Sequence, residues 1–279
     1  MARRELLNLV RNAIGEGYTV EREIARGGAA RVFLARTPEG TPVALKVLRP
    51  ELAVTVAADR FLREIDFLSG IDHPHIPRLI ASGENDFVIY YVMTHVPGMT
   101  LRDHLATHRQ LGVDDTLRIA DELLDALAYA HDRDIVHRDV KPENVVIGEA
   151  GAVLVDFGIA RAVAESGLDK LTRSGFAVGT SAYMSPEQVR GATDIDHRSD
   201  LYSLGCVLFE CLAGRPPFTA SQESLVLRLH LEKPAPDVRR FRRKLKTPVA
   251  RLIKRSLETD RDDRWRSAQD MQAAVRELR

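Results

Sequence analysis

The 279-residue sequence predicts an α+β fold in two lobes, a small strand-rich lobe with one main helix and a larger, mostly helical lobe. Two observations carry that prediction. Runs rich in β-branched and aromatic residues, separated by turn chemistry, fill roughly the first ninety positions. Apolar residues then recur at helical spacing through the remainder. The change falls near Thr94–Gly98, so a ligand cleft is expected at that junction. The resulting boundaries are an extension at 1–17, a first lobe at 18–95 and a second at 96–279.

Taken in order, the opening Met1-Ala2-Arg3-Arg4-Glu5-Leu6-Leu7-Asn8-Leu9-Val10-Arg11 is too charged, and its apolar part too short, for a signal peptide. It predicts a short amphipathic helix. Strands are predicted at Tyr18–Ile24, Arg31–Ala35, Val43–Leu48 and Phe87–Met93, with Thr37-Pro38-Glu39-Gly40 as an intervening turn. One helix interrupts them, with Phe61, Ile65 and Leu68 on one face. In the second lobe Leu117, Ala120, Leu124 and Leu127 share a helical stripe, as do Leu201, Leu204, Leu208 and Cys211. Gly214-Arg215-Pro216-Pro217 ends the latter, because proline lacks the N–H and clashes with the preceding turn.

Composition narrows the function classes. The chain is 44% hydrophobic and 29% charged, with 40 basic against 40 acidic side chains. A formal charge of zero gives no overall pull toward nucleic acid or an anionic membrane. The run Arg239-Arg240-Phe241-Arg242-Arg243-Lys244 reads as surface charge, and no nucleic-acid partner is expected. Cys206 and Cys211 lie in an apolar run and are predicted to be buried thiols. No segment approaches the ~20 apolar residues that cross a bilayer. A cytoplasmic protein follows, or the cytoplasmic domain of a longer, membrane-anchored one.

The densest chemistry is His137-Arg138-Asp139-Val140-Lys141-Pro142-Glu143-Asn144, followed by Asp156-Phe157-Gly158. Residues 144–156 read as two short apolar strands around a Gly/Ala/Glu turn, so Asn144 and Asp156 meet at the open end of a hairpin. Two oxygen ligands there suit magnesium, which keeps its waters and takes few protein ligands beside substrate phosphates. This stretch resembles the catalytic core of the protein-kinase superfamily. The wording Phe61-Leu62-Arg63-Glu64, His73-Pro74-His75-Ile76 and Gly179-Thr180…Ser185-Pro186-Glu187-Gln188 looks like the bacterial Ser/Thr kinases of eukaryotic type. The resemblance runs from about Tyr18 to Leu278 and implies a bilobal protein-kinase-like fold with ATP and Mg2+ as cofactors, Mn2+ able to substitute.

The resemblance also implies site residues. Ile24-Ala25-Arg26-Gly27-Gly28-Ala29-Ala30 looks like the glycine-rich loop over the ATP phosphates. It departs from the family's pattern at Ala25 and Ala30, which is expected to alter the phosphate grip without abolishing it. Lys46, two positions from Ala44 and so on its face, would reach the α/β phosphates and pair with Glu64. Val32, Ala44 and Val146 would sandwich the adenine. Met93 would guard the back pocket, and the Thr94 carbonyl and Val96 amide would bind the base. Asp139 would orient the substrate hydroxyl and take its proton, Lys141 would neutralise the γ-phosphate, and Asn144 and Asp156 would hold the metal. Thr180 would bridge Asp139 and Lys141. His137 and Phe157 are expected to pack, in an apolar column with Leu68. Glu187 is expected to pair with Arg264, and Asp200 to brace the catalytic loop through its backbone.

Regulation is implied as well. Arg63, Arg138 and Arg161 resemble the cluster that holds a phosphorylated activation loop, with Thr172 or Ser174 as the modified residue. Lys141, two after Asp139, resembles the Ser/Thr-specific branch. The partners implied are proteins with Ser/Thr acceptors, the chain itself among them, and a transient homodimer is compatible with that. Two alternatives stay open on the residues alone: a pseudokinase scaffold, for which the Ala25/Ala30 loop speaks, and a small-molecule kinase of related fold. The chain reads as a stand-alone kinase or an excised domain.

Overall fold

A computed structural model describes residues 10–11, 14, 17–27, 30–48, 65, 68–85, 88–157 and 180–279. The chain divides into two compact units, Met1–Val96 and Pro97–Arg279.

In the first unit β1 (Thr19–Arg26), β2 (Ala30–Arg36), β3 (Pro42–Leu48), β4 (Leu79–Asn85) and β5 (Val88–Thr94) form an antiparallel sheet ordered β1-β2-β3-β5-β4. Side chains alternate between faces along a strand, and β3 shows the consequence. Val43, Leu45 and Val47 join Val20, Phe33, Ala35 and Val92 in one buried cluster. Ala44 and Lys46 take the opposite face. Helical Val10 and Ile14 belong to the same cluster, and Arg11 Nη2 donates to the Val20 carbonyl at 3.1 Å. Burying each aliphatic side chain contributes about 1.5–3 kcal/mol. A one-residue slip of β3 would exchange that cluster for an alanine and a lysine, so the core enforces the register.

The strand β4 has no counterpart in the sequence prediction. Its residues Leu79-Ile80-Ala81-Ser82-Gly83-Glu84-Asn85 carry no clean alternation, because it is an edge strand paired only with β5, and Ile80 is 43% exposed. Gly83 lies under the Tyr90 ring, where a Cβ would come within 2.7 Å of the hydroxyl. Ile65 and Leu68 are helical and buried, as the predicted helix requires; Phe61 lies outside the described residues.

The second unit contains seven α-helices among the described residues: α1 (Leu101–His108), α2 (Val113–His131), α3 (Pro186–Arg190), α4 (Arg198–Ala213), α5 (Glu223–Glu232), α6 (Thr247–Ser256) and α7 (Ala268–Arg276). A small sheet of β6 (Met99–Thr100), β7 (Val145–Gly148) and β8 (Gly151–Leu154) accompanies them. Helix α4 is buried all round from Ser199 to Ala213, the signature of a core helix. It stops at Gly214, whose left-handed φ of 75° and N–H to the Glu210 carbonyl close the last turn ahead of the proline pair. Cys206 and Cys211 are buried free thiols, and burial pushes both pKa values up. Among the described residues no helix is long and apolar enough to cross a membrane.

Candidate active site

The loop from His137 to Asn144 folds around its own polar side chains. Lys141 Nζ donates to Asp139 Oδ2 at 2.6 Å. Asn144 Nδ2 donates to the same oxygen at 3.1 Å and to the Asp139 carbonyl at 2.9 Å. Three of the residues singled out in the sequence therefore share one carboxylate. Arg138 sits at φ 63°, a left-handed conformation that an ordinary side chain adopts only under constraint. Part of the constraint comes from Asp200 on α4, whose Oδ1 accepts the Arg138 N–H at 2.7 Å and whose Oδ2 accepts the His137 N–H at 2.8 Å. The same carboxylate meets His131 Nε2 at 2.9 Å. The brace expected of Asp200 is present.

The hairpin forms as the sequence suggests, with Gly148 opposite Gly151 and Val145 opposite Leu154. Val155 N–H donates to the Asn144 carbonyl at 2.9 Å, which carries the pairing one step past the strands and sets Asp156 next to Asn144 at the open end. Glu122 on α2 holds the far strand by accepting the Ala152 N–H at 2.7 Å. Asp156 itself is at φ 61° and half-buried. With its amide hydrogens turned to Asp139, Asn144 presents its side-chain oxygen as its remaining polar atom. That oxygen and a neighbouring carboxylate are a hard donor set, which fits a divalent ion such as magnesium. Among the described residues there is no group of three or more His, Cys, Asp and Glu side chains poised for a metal.

His137 is fully buried, its ring 4.5 Å from that of Phe157. Nε2 meets the Val155 carbonyl at 3.2 Å while Nδ1 accepts the Asp139 N–H at 3.2 Å. Burial lowers its pKa, outweighing the nearby carboxylates, so the ring stays neutral. The packing expectation for His137 and Phe157 is met. Leu68 is buried within the first unit.

In the first unit, strand register gathers the residues assigned to the nucleotide. Ala25 pairs with Val32, Val32 with Lys46, Lys46 with Tyr91 and Ala44 with Met93. Directly opposed residues share a face, so Ala25, Val32, Ala44, Lys46 and Met93 all lie on the face away from the aliphatic cluster. Lys46 is 8% exposed, its ammonium 5.5 Å from the Tyr91 ring centre. Gly27 N–H donates to the Ala30 carbonyl at 2.9 Å. Thr94 Oγ1 accepts the Arg78 N–H at 3.0 Å. Val96 is half-buried at the end of this unit, and Val146 is half-buried on β7 of the other. Gly28, Arg63, Glu64, Arg161, Thr172 and Ser174 lie outside the described residues, as does the Thr180 side chain.

Residues 18–275 match the protein kinase domain family. The chain belongs to that family. It is 35% identical to serine/threonine-protein kinase PrkC of Bacillus subtilis over 271 residues, covering 96% of this chain and 41% of the relative. It is 38% identical to serine/threonine-protein kinase PknB of Mycolicibacterium smegmatis over 268 residues, covering 93% and 42%. A probable serine/threonine-protein kinase of Streptomyces coelicolor is 39% identical over 271 residues, 94% and 40%. The chain thus spans about two fifths of the length of the curated relatives it matches. Family membership implies ATP and a divalent cation in general terms.

Within this kinase domain the structure adds residues that the sequence reading passed over. Arg102 on α1 donates through Nε to Glu143 at 2.7 Å, through Nη1 to Glu210 at 2.8 Å, and through Nη2 to the Tyr183 hydroxyl. Tyr183 in turn donates to Glu210. Burial alone would lower the Arg102 pKa, but its bonds to Glu210, Tyr183 and Glu143 hold it above the ordinary value. This network ties the loop carrying Asn144 to the 3-10 turn Thr180–Tyr183 and to the core helix α4. Helical position 102 is polar and off the apolar stripe, so periodicity could only read it as surface. Glu187 and Arg264 form the expected pair, bidentate at 2.8 and 2.9 Å, with Ser199 Oγ on Glu187 at 2.5 Å. Burial pushes the Glu187 carboxyl up, yet Arg264 more than compensates and holds it below the usual carboxylate range. Within the basic run, Arg239 is bound to Asp237 and Arg242 to the Leu111 carbonyl.

Proposed function

We propose that this domain is a protein serine/threonine kinase, transferring the γ-phosphoryl group of ATP to Ser and Thr hydroxyls with Mg2+, for which Mn2+ substitutes. The observation that carries the reading is the carboxylate of Asp139, held by Lys141 and Asn144, with Asp156 next in the chain after Val155, whose N–H bonds the Asn144 carbonyl. Phosphoryl transfer needs positioning and charge neutralisation more than covalent chemistry. Asp139 would accept a hydrogen bond from the substrate hydroxyl and take its proton as the new O–P bond forms. The bond from the γ-phosphorus to the bridging oxygen breaks, and ADP leaves with the electron pair. Lys141 is close enough to Asp139 to neutralise charge at the same point. Asn144 and Asp156 would hold the divalent cation, which when bound offsets the phosphate charge.

Lys46, paired with Glu64, would contact the α/β phosphates. The common face of Val32 and Ala44 supports an adenine site in the first unit, with the Thr94 carbonyl and the Val96 amide binding the base and Met93 guarding the back pocket. Ala25, Gly27 and Gly28 would cover the phosphates, and the family resemblance assigns Val146 to the adenine as well. Thr180 would link Asp139 and Lys141. Autophosphorylation at Thr172 or Ser174, received by Arg63, Arg138 and Arg161, would order the activation loop, and a transient homodimer is compatible with it.

Phosphosite mapping after incubation with ATP and magnesium tests this. Phosphate on Ser and Thr of the chain and of casein is expected, with Thr172 or Ser174 modified. Transfer to aminoglycosides or choline instead of protein would point to a small-molecule kinase, and no transfer to either would leave a nucleotide-binding scaffold.

A further inference from the structure

The geometry points to Gln188 as a positioning residue for the peptide unit that carries Asp139, an inference that rests on the catalytic reading of Asp139. Arg138 has both of its backbone polar groups held. Its N–H goes to Asp200, and its carbonyl accepts from Gln188 Nε2 at 2.8 Å. The far side of the same peptide bond, the Asp139 N–H, goes to His137 Nδ1 at 3.2 Å. With φ of 63° at Arg138, this backbone sits in a conformation it would leave if released. Gln188 comes from α3, fifty residues on, and is 8% exposed. A buried amide this close to a strained carbonyl fixes where the Asp139 carboxylate points.

Gln188 has a second bond that allows a clean test. Its Oε1 accepts the Ser185 N–H at 3.0 Å, and Ser185 Oγ accepts the Gln188 N–H at 3.3 Å, a reciprocal capping box. Glutamate at this position keeps the shape and the box, since Ser-x-x-Glu is itself a capping-box pattern. When ionised it has no hydrogen to give the Arg138 carbonyl. The Gln188→Glu substitution thus probes the clamp alone, whereas alanine removes clamp and cap together.

Gln188→Glu, Gln188→Ala and the unaltered domain are to be compared for kcat, KM for ATP, Tm, and amide hydrogen exchange in a peptide spanning residues 137–141. For Gln188→Glu we expect kcat to fall about ten- to a hundredfold, as misplacement of a reacting group allows. KM for ATP should be nearly unchanged and exchange across 137–141 faster, while Tm should be lowered near pH 8, where the buried carboxylate is ionised, and return toward that of the unaltered domain by about pH 6. Because a protonated glutamate donates again, its kcat relative to wild type should recover as pH falls from about 8 to 6. Gln188→Ala should lose kcat without that recovery and also lose Tm. A Gln188→Glu variant with wild-type kcat and unchanged exchange overturns the inference, and so does a kcat deficit that does not respond to pH. If exchange rises in the variant but neither protein transfers phosphate, the clamp stands and the catalytic reading of Asp139 fails.

Discussion

In the first unit Ala25, Val32, Ala44, Lys46 and Met93 reach a common face because the register of β1, β2, β3 and β5 puts them there. In the second, Asp139, Lys141 and Asn144 sit in a loop whose backbone is held by side chains far along the chain. Asp200 reaches it across 62 and 63 positions and Gln188 across 50. The first arrangement depends on an aliphatic cluster that many substitutions would leave in place. The second depends on individual buried polar groups, each of which leaves an unsatisfied partner when removed. Truncations of equal size should therefore cost more in the second unit.

The largest effect is expected from Arg264→Ala. Arg264 is fully buried and also donates to the carbonyls of Glu258, Thr259 and Arg198. Its loss strands a buried carboxylate, so the unfolding free energy from urea titration should drop by about 3–5 kcal/mol. A drop no larger than that of a surface arginine would break the comparison.

Acid should act next. His230 lies buried against Tyr202 and Phe218, with Nδ1 meeting the Tyr202 hydroxyl at 2.8 Å. Burial lowers its pKa to about 4. The unfolded chain takes up that proton first, so this stabilisation is complete above about pH 6.5 and is lost as pH falls toward 4. At ~1.4 kcal/mol per unit the loss is about 3 kcal/mol. Thermal unfolding across that range should show it, and His230→Gln should flatten the slope. An equal slope in the variant would assign the acid sensitivity elsewhere.

The smallest effect is expected in the first unit, from Val32→Ala. Two buried methyls are lost, about 1–2 kcal/mol of stability. The register holding Lys46 is set by the other face and should persist. KM for ATP is expected to rise several-fold with kcat nearly constant, and a collapse of kcat would show that Val32 itself positions Lys46.

This contrast also explains what could be read from the sequence. Alternation in Val43-Ala44-Leu45-Lys46-Val47 marks both faces of β3, and the short apolar runs flanking residues 149–150 mark the hairpin that brings Asn144 to Asp156. Periodicity is a local signal, and these features are local. It could not reveal β4, an edge strand with one neighbour and mixed residues. Nor could it reveal Arg102, whose partners Glu143, Tyr183 and Glu210 lie 41, 81 and 108 positions away. In sequence Gln188 reads as part of the wording shared with the bacterial Ser/Thr kinases, and only the fold discloses that its amide reaches the Arg138 carbonyl.

The most direct test of the whole account is transfer of radiolabelled γ-phosphate from ATP to casein by the unaltered domain and by Asp139→Asn, with both checked for equal Tm. Label on serine and threonine that falls by about 10²–10⁴ in the variant is the expected result. Equal labelling by the two proteins, or none by either, would contradict it.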